Sequence, residues 1–457
     1  MKDYKTILTN LCRMVLAVVC IFSGYVKAID PLGTQYKIQD YLGALHLEGT
    51  LPDWLTLAAS VGLSALEFCM GILLLFAIRR RQTSKVALVF MGAMTAVTLW
   101  LALANPIKDC GCFGDAVHLT NWQTLGKNLV LLAAAIVLWK WPLRMRRFIS
   151  RSNQWIVTNY TLVFILATSA WCLYNLPLFD FRPYHVGADL RKGMEIPAGA
   201  KQPKFETTFI MEKDGEQKEF ALKDYPDSTW TFIDAKTVQT EPGYEPPIHD
   251  FNIVENGTGE DITEQVLNDK GYTFLLISPH LEHADDICFG DVNRIHEYAE
   301  DNGHKFYCLT ASSGKAIRHW SDITGAEYPF CTTDATTLKT IIRSNPGLVL
   351  IKQGKVIRKW SHNALPPASA FTRDGSELGQ TLPLGQLAVG KLPEDRVSMK
   401  LAAIATWFLL PLLLLTLADR LWAWTRWVRI GQRRKARKEK AQSEAETTGK
   451  ETENEDP

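Results

Sequence analysis

The chain has 457 residues, with 50 Lys and Arg against 49 Asp and Glu, for a net charge of +1. That balance excludes a global basic field for nucleic acid, and the length allows two or three domains. A mean hydropathy of -0.05 hides very apolar ends around a polar middle, so no single class describes the whole chain.

Six stretches approach the roughly 20 apolar residues that a hydrocarbon core demands of a helix. They are Ile7–Ile29, Trp54–Ile78, Val86–Pro106, Leu125–Trp141, Trp155–Pro177 and Met399–Trp424. Six such runs argue against buried helices of one large soluble protein. The first resembles a signal peptide in position, but Lys27, Asp30 and Pro31 follow it and no small-x-small site does. It is therefore read as a retained span. Arg13 lies inside this first span and Glu67 inside the second. Lone charges in hydrocarbon are costly and pair or line a cavity. The economical expectation is an Arg13–Glu67 ion pair; proton movement or the holding of a polar ligand is the alternative. Lys27, in Ser23-Gly24-Tyr25-Val26-Lys27, stands where its amine can snorkel outward, and Pro31 and Gly33 end the helix. Cys12, Cys20, Cys69 and Cys172 are read as small apolar packing residues.

Between the third and fourth spans lies Asp109-Cys110-Gly111-Cys112-Phe113-Gly114-Asp115. A Cys-x-Cys pair can close a strained, exchange-active disulfide, and glycine supplies the tight turn it needs. A structural disulfide and two idle thiols are the alternatives. A metal held with His118 lacks an evident fourth ligand, so no metal site is assigned.

Basic residues collect on the cytoplasmic side of a membrane protein. Lys2 and Lys5 precede the first span; Arg79, Arg80, Arg81 and Lys85 follow the second; Lys140, Arg144, Arg146, Arg147 and Arg151 follow the fourth; a run from Arg426 to Lys440 follows the sixth. Both termini are therefore expected in the cytoplasm, with 30–53, 107–124 and 178–398 outside. Pro411 is expected to kink the sixth span, which a membrane helix tolerates. The stretch after Lys440 is rich in Glu, Thr and Ser and is expected to be disordered. The basic run before it is expected on anionic headgroups.

In the outer segment, Phe205–Ile210 alternates, Lys213-Asp214-Gly215-Glu216 reads as a hairpin turn, and Lys218–Ala221 returns. The Pro-rich Glu241–Pro247 reads as a linker. Then come a buried strand (Phe274–Ser278), a helix (Val292–Ala299), a strand (Lys305–Thr310), a helix (Lys315–Ile323), and a hairpin of Gly347–Ile351 with Lys355–Trp360 around Gln353-Gly354. That order is α/β, with one parallel crossover and one antiparallel pair.

On Arg13, Ser23-Gly24-x-x-Lys27-x-x-Asp30-Pro31, Glu67 and Cys110-Gly111-Cys112-Phe113-Gly114, residues 1–142 resemble the DoxX-like membrane proteins, in particular their methylamine-utilisation (MauE) branch. The resemblance covers about a third of the chain. It implies a four-helix membrane domain, a bacterial inner-membrane setting, and a redox helper in the maturation of disulfide-rich proteins. The later strand order resembles the thioredoxin fold, with Asn345-Pro346 where that fold carries its cis-proline. The lead-in Asp250–Glu264 resembles the opening of TlpA-like and peroxiredoxin-like members. The pattern departs from the family where it matters most. Ser278-Pro279-His280-Leu281-Glu282-His283 stands where Cys-x-x-Cys belongs. His280 and His283 with Asp285 or Asp286 could hold a metal, though such residues more often solvate a helix start. The pairing of Cys288, Cys308 and Cys331 stays open.

The expected fold is thus an all-α membrane bundle, four helices plus two further spans, with an extracytoplasmic α/β thioredoxin-like domain. The expected segments are a membrane domain at 1–142, a fifth helix at 155–177, a β-rich segment and linker at 178–247, a degenerate thioredoxin-like domain at 248–372, a sixth helix at 399–424, and a cytoplasmic tail at 425–457. The first functional expectation is a redox-associated membrane protein that assists thiol–disulfide exchange or maturation of extracytoplasmic clients through Cys110 and Cys112. The second is a non-enzymatic scaffold whose outer domain binds a client. The third is a quinone or small-molecule binder using Arg13, Lys27 and Glu67. Expected partners are the lipid bilayer and a periplasmic client or redox partner, with no nucleic acid. No cofactor is fixed, and a quinone is the candidate electron acceptor.

Overall fold

The computed structural model describes residues 3–453 except 48, 108–109, 198, 201–203, 214–215, 222–230, 242, 245, 368–383, 385–386, 391 and 393–394; at 3 and 434 and over 204–241 and 441–453 only the backbone is described. Lys2, Asp109, the turn residues Asp214 and Gly215, two linker residues and the far end of the expected 248–372 domain therefore lie outside the described residues. The chain forms two compact units, Met1–Phe179 with Pro393–Pro457, and Asp180–Leu392.

The first unit is helical. Its elements are α1 (Asp3–Ile29), α2 (Pro31–Ala44), α3 (Asp53–Leu75), α4 (Arg80–Ala104), α5 (Asn121–Lys140) and α6 (Gln154–Tyr174), with α12 (Val397–Glu453) returning from the far end of the chain. All but α2 contain a run long and apolar enough to cross a membrane, making 6 candidate spans among the described residues. Their outward faces carry bare Ile7, Trp54, Val89, Leu103, Val130 and Val163. Such apolar faces suit lipid and not water, and the chain is a multi-pass membrane protein.

Local chemistry sets the helix ends. Asp30 caps α2 by accepting from Gly33 N at 2.9 Å, with Pro31 at the first helical position. Thr120 and Gln123 form a reciprocal capping box on α5. Asn105 closes α4 at φ 45°. Leu16 and Ala17 of α1, Met70 and Leu74 of α3, Met91 of α4, and Leu131, Ala135 and Leu138 of α5 knit these four helices together. A second cluster, including Phe68, Ile72, Ile165, Phe408 and Leu412, joins α3 to α6 and α12. Asp419 of α12 is buried and accepts from Ser150 N, Ser150 Oγ and Asn153 Nδ2 at 2.5–2.8 Å.

The helix α12 runs without interruption through Pro411 and through the stretch whose composition predicts disorder. Ala, Glu, Lys and Arg are good helix formers, and pairs such as Lys435–Glu439, 3.9 Å apart, support the exposed turns.

The second unit opens with α7 (Leu190–Met194). A three-stranded antiparallel sheet follows, ordered β2-β1-β3, from β1 (Lys204–Lys213), β2 (Glu216–Ala221) and β3 (Thr231–Glu241). The first two strands match the expectation, and β3 is new. Next come β4 (Val254–Glu255), α8 (Thr263–Leu267), β5 (Tyr272–Ser278), α9 (Phe289–Asp301), β6 (Lys305–Thr310), α10 (Gly314–Thr324), β7 (Phe330–Thr332), α11 (Ala335–Ile341), β8 (Gly347–Lys352) and β9 (Lys355–Ser361). Their sheet is mixed, ordered β4-β7-β6-β5-β8-β9. β5 pairs parallel with β6 and antiparallel with β8, so it lies in the middle and is buried along its length. Phe274, Leu276, Ile295, Cys308, Leu348 and Leu350 fill the core beside it. Gln353 and Gly354 both take positive φ, as a tight type I′ hairpin turn requires.

Candidate functional site

The site forms where α1 and α3 pack closest. A Cβ on Gly24 would stand 2.4 Å from the backbone nitrogen of Phe68, and one on Gly71 would stand 2.9 Å from the carbonyl oxygen of Ala17. Small residues let helix backbones approach in this way. Ser23 and Lys27, beside Gly24 on α1, thereby meet Glu67, the neighbour of Phe68 on α3. Lys27 Nζ donates to both carboxylate oxygens of Glu67 at 2.8 Å and to Ser23 Oγ at 3.0 Å. Ser23 Oγ lies 2.6 Å from Glu67 Oε2 and 2.8 Å from the backbone oxygen of Cys112. Its one hydroxyl proton faces both acceptors. All three side chains are buried.

The loop between α4 and α5 turns back into the bundle. Phe113 packs on Phe22 with ring centroids 5.5 Å apart, and Lys127 Nζ lies 4.2 Å from the Phe113 ring centre. Ser23 is six residues from the end of α1 and Lys127 six from the start of α5, about 9 Å along either axis at 1.5 Å per residue. The Cys-x-Cys segment thus packs on the last turns of α1 at Cys112 and Phe113 and on α2 at Cys110. Irregular backbone inside a bundle needs protein partners for its polar groups. Ser23 supplies one to Cys112, and Tyr41 Oη supplies another to the Cys110 oxygen at 2.6 Å. Gly111 turns the chain between the two cysteines at φ +65°.

The Cys110 and Cys112 sulfurs are 3.0 Å apart, in hydrogen-bonding contact. Cys110 is buried and Cys112 half-buried. Holding the shared proton pushes the Cys110 thiol up, and burial adds to this. The same hydrogen bond brings Cys112 down to about 6; burial and Glu67 oppose it, and Lys127 and Lys27 assist. The arrangement favours a thiolate on Cys112 and a thiol on Cys110.

Arg13 is elsewhere. It donates to the Arg146 carbonyl at 2.5 Å and lies 5.1 Å from the Phe148 ring centre. Fourteen residues separate it from Lys27 on the same helix, roughly 21 Å, so the expected Arg13–Glu67 pair is replaced by Lys27–Glu67. Of the three residues named for the third functional expectation, Arg13 thus stands apart from Lys27 and Glu67.

In the second unit the Asn345–Pro346 peptide is cis. The carbonyl of Asn345 accepts from Asp285 N at 3.0 Å, and its side chain bridges Ser278 Oγ and the His280 oxygen. The His280 and His283 rings are 6.5 Å apart and set edge to face. No group of three or more His, Cys, Asp or Glu is arranged to hold a metal among the described residues. Cys288, Cys308 and Cys331 are buried and form no disulfide. Burial pushes Cys288 to about 11 and Cys331 to about 12, and raises Cys308 as well. Sequence reasoning misses Ser23 and Tyr41 as loop anchors and Lys127 as the cation over Phe113. Ser23 was legible, lying one helical turn from Lys27.

Residues 5–140 match the family of the methylamine utilisation protein MauE. Residues 205–242, the β1–β3 sheet, match a domain of unknown function, DUF8463. No curated protein matches the chain. A solution structure from Bacteroides thetaiotaomicron, provisionally named a protein disulfide isomerase, is 17% identical over 25% of this chain and 76% of its own, with a TM-score of 0.21. That likeness is too slight to fix a fold.

Proposed function

We propose that the protein carries out thiol–disulfide exchange for extracytoplasmic clients through Cys110 and Cys112. The observation that carries this reading is the 3.0 Å approach of the two sulfurs in a turn fixed from both sides, with Cys112 brought down to about 6. The match of residues 5–140 to MauE covers the same helices and supports it. In the reducing direction the Cys112 thiolate attacks a client disulfide, forms a mixed disulfide and expels one client thiolate. Cys110, losing its proton, then attacks Cys112 Sγ, closes the Cys110–Cys112 disulfide and expels the second client thiolate. The client gains two electrons, which the pair loses, and its two thiolates take up the proton released by Cys110 and a second proton from solvent. The reverse sequence oxidises a client dithiol. A second dithiol or disulfide, or a quinone in the bilayer, returns the pair to its starting state.

The setting belongs to the same proposal: a bacterial inner membrane, both termini inside and 178–398 outside. It is supported by Arg79–Lys85, Lys140–Arg151 and Arg426–Lys440 falling on one side of the six spans. The sheet order with Pro346 beside β8 supports a thioredoxin-like domain within 248–372. The scaffold reading, in which that domain binds a client without electron transfer, is favoured by its buried cysteines, which form no disulfide.

Acid-quenched thiol trapping on membranes tests the exchange reading. Wild type should hide two thiols that reduction exposes, and Cys110→Ser or Cys112→Ser should each release the other. Two thiols that stay free under every oxidising buffer would hand the function to the scaffold reading.

A further inference from the structure

We propose that the buried Ser23–Lys27–Glu67 cluster sets the oxidising power of the Cys110–Cys112 pair, with Lys27 and Glu67 acting in opposite directions. The inference rests on the exchange reading and adds the residues that tune it. Three observations meet here. The cluster is tied to the loop through Ser23 Oγ, 2.8 Å from the Cys112 oxygen. Lys27 and Glu67 are each about 95% buried and bonded to one another, so their charges act through protein and not through water. A thiolate is negative and a disulfide is neutral, so a nearby cation stabilises the reduced pair and a nearby anion destabilises it.

The groups facing the pair come from each surrounding element. Lys27 stands on α1 and Glu67 on α3. Lys127 of α5 covers Phe113. From α2, Tyr41 donates to Cys110, and the stem of Lys37 lies 3.0 Å from where a Cβ on Gly111 would be. Asp115 belongs to the loop itself. Lys27 and Lys127 pull Cys112 toward thiolate, and Glu67 pushes against them. Ser23, Lys27 and Glu67 touch no reacting sulfur and are positioning residues.

The test measures the pair's equilibrium with dithiothreitol in full-length protein, together with the pH dependence of Cys112 alkylation. Lys27→Met should favour the disulfide about tenfold, ~30 mV toward a more reducing pair, and raise the alkylation midpoint by about one pH unit. Glu67→Gln should move both readouts the other way. The double variant Lys27→Met with Glu67→Gln should return near wild type, because it removes both charges at once. Lys127→Met, at a half-buried site, should follow Lys27→Met and keeps the test open if a buried variant fails to fold. Shifts of one sign in both single variants, or none in any, would overturn the inference and reduce the cluster to a helix clamp. A wild-type pair that never forms a disulfide would instead overturn the exchange reading beneath it.

Discussion

Asp180 opens the second unit between two cations, Arg182 Nε at 2.7 Å and Lys359 Nζ at 2.9 Å. Burial alone would raise its carboxyl, but Lys359 and then Arg182 overcome this and hold it below the usual carboxylate range. A carboxyl depressed by folding stabilises fully above its unfolded value of about 3.9 and loses that contribution as pH falls toward the folded value. Asp180→Asn should weaken the β8–β9 region by about 3 kcal/mol at neutral pH, since it leaves a buried cation short of its partner. It should also remove most of the pH dependence of that region below ~4. Hydrogen exchange in β9 across pH checks both. At the main site, Tyr41→Phe should cost about 1 kcal/mol through the lost bond to the Cys110 carbonyl, seen as faster exchange in the loop. Charges read from sequence gave their identities but not their partners. Arg13 and Glu67 are the obvious pair on two neighbouring spans, yet the register of α1 against α3 puts Lys27 there, and that register is set by Gly24 and Gly71.

Those glycines make the crossing a property of the element. Gly24→Ala would set a methyl 2.4 Å from backbone nitrogen. It should force α1 from α3 at a cost of about 1–3 kcal/mol, lowering the melting temperature in detergent and weakening the hold of Ser23 on Cys112. A melting temperature equal to wild type would show that the crossing relaxes freely. The six spans were legible because a long apolar run is a strong signal. The β8–β9 hairpin and the β5–α9–β6–α10 order were legible from turn chemistry and periodicity, whereas the cis-proline position came only from the resemblance to the thioredoxin fold. α2 was hidden because its helix mixes polar and apolar residues without a clear face, and β7 because three residues are too few to carry a period. The long reach of α12 was hidden because composition that cannot form a core can still form a solitary helix.

For the whole molecule, the basic clusters predict that protease added outside spheroplasts will cut within 178–398 and leave an epitope placed after Lys440 intact. The opposite pattern would invert the topology. The packing of the Cys-x-Cys loop has a kinetic consequence as well. A half-buried sulfur such as that of Cys112 is reached more readily by a slender reagent than by a broad one, so the packing around the pair works as a sieve. Methanethiosulfonates should modify Cys112 of the folded protein far faster than polymer-bearing maleimides do, and the difference should vanish on unfolding. By the same rule, the exchange proposed above would require a client to bring its disulfide on a narrow, extended segment, and a disulfide flush with a globular surface would wait on that surface's own local unfolding.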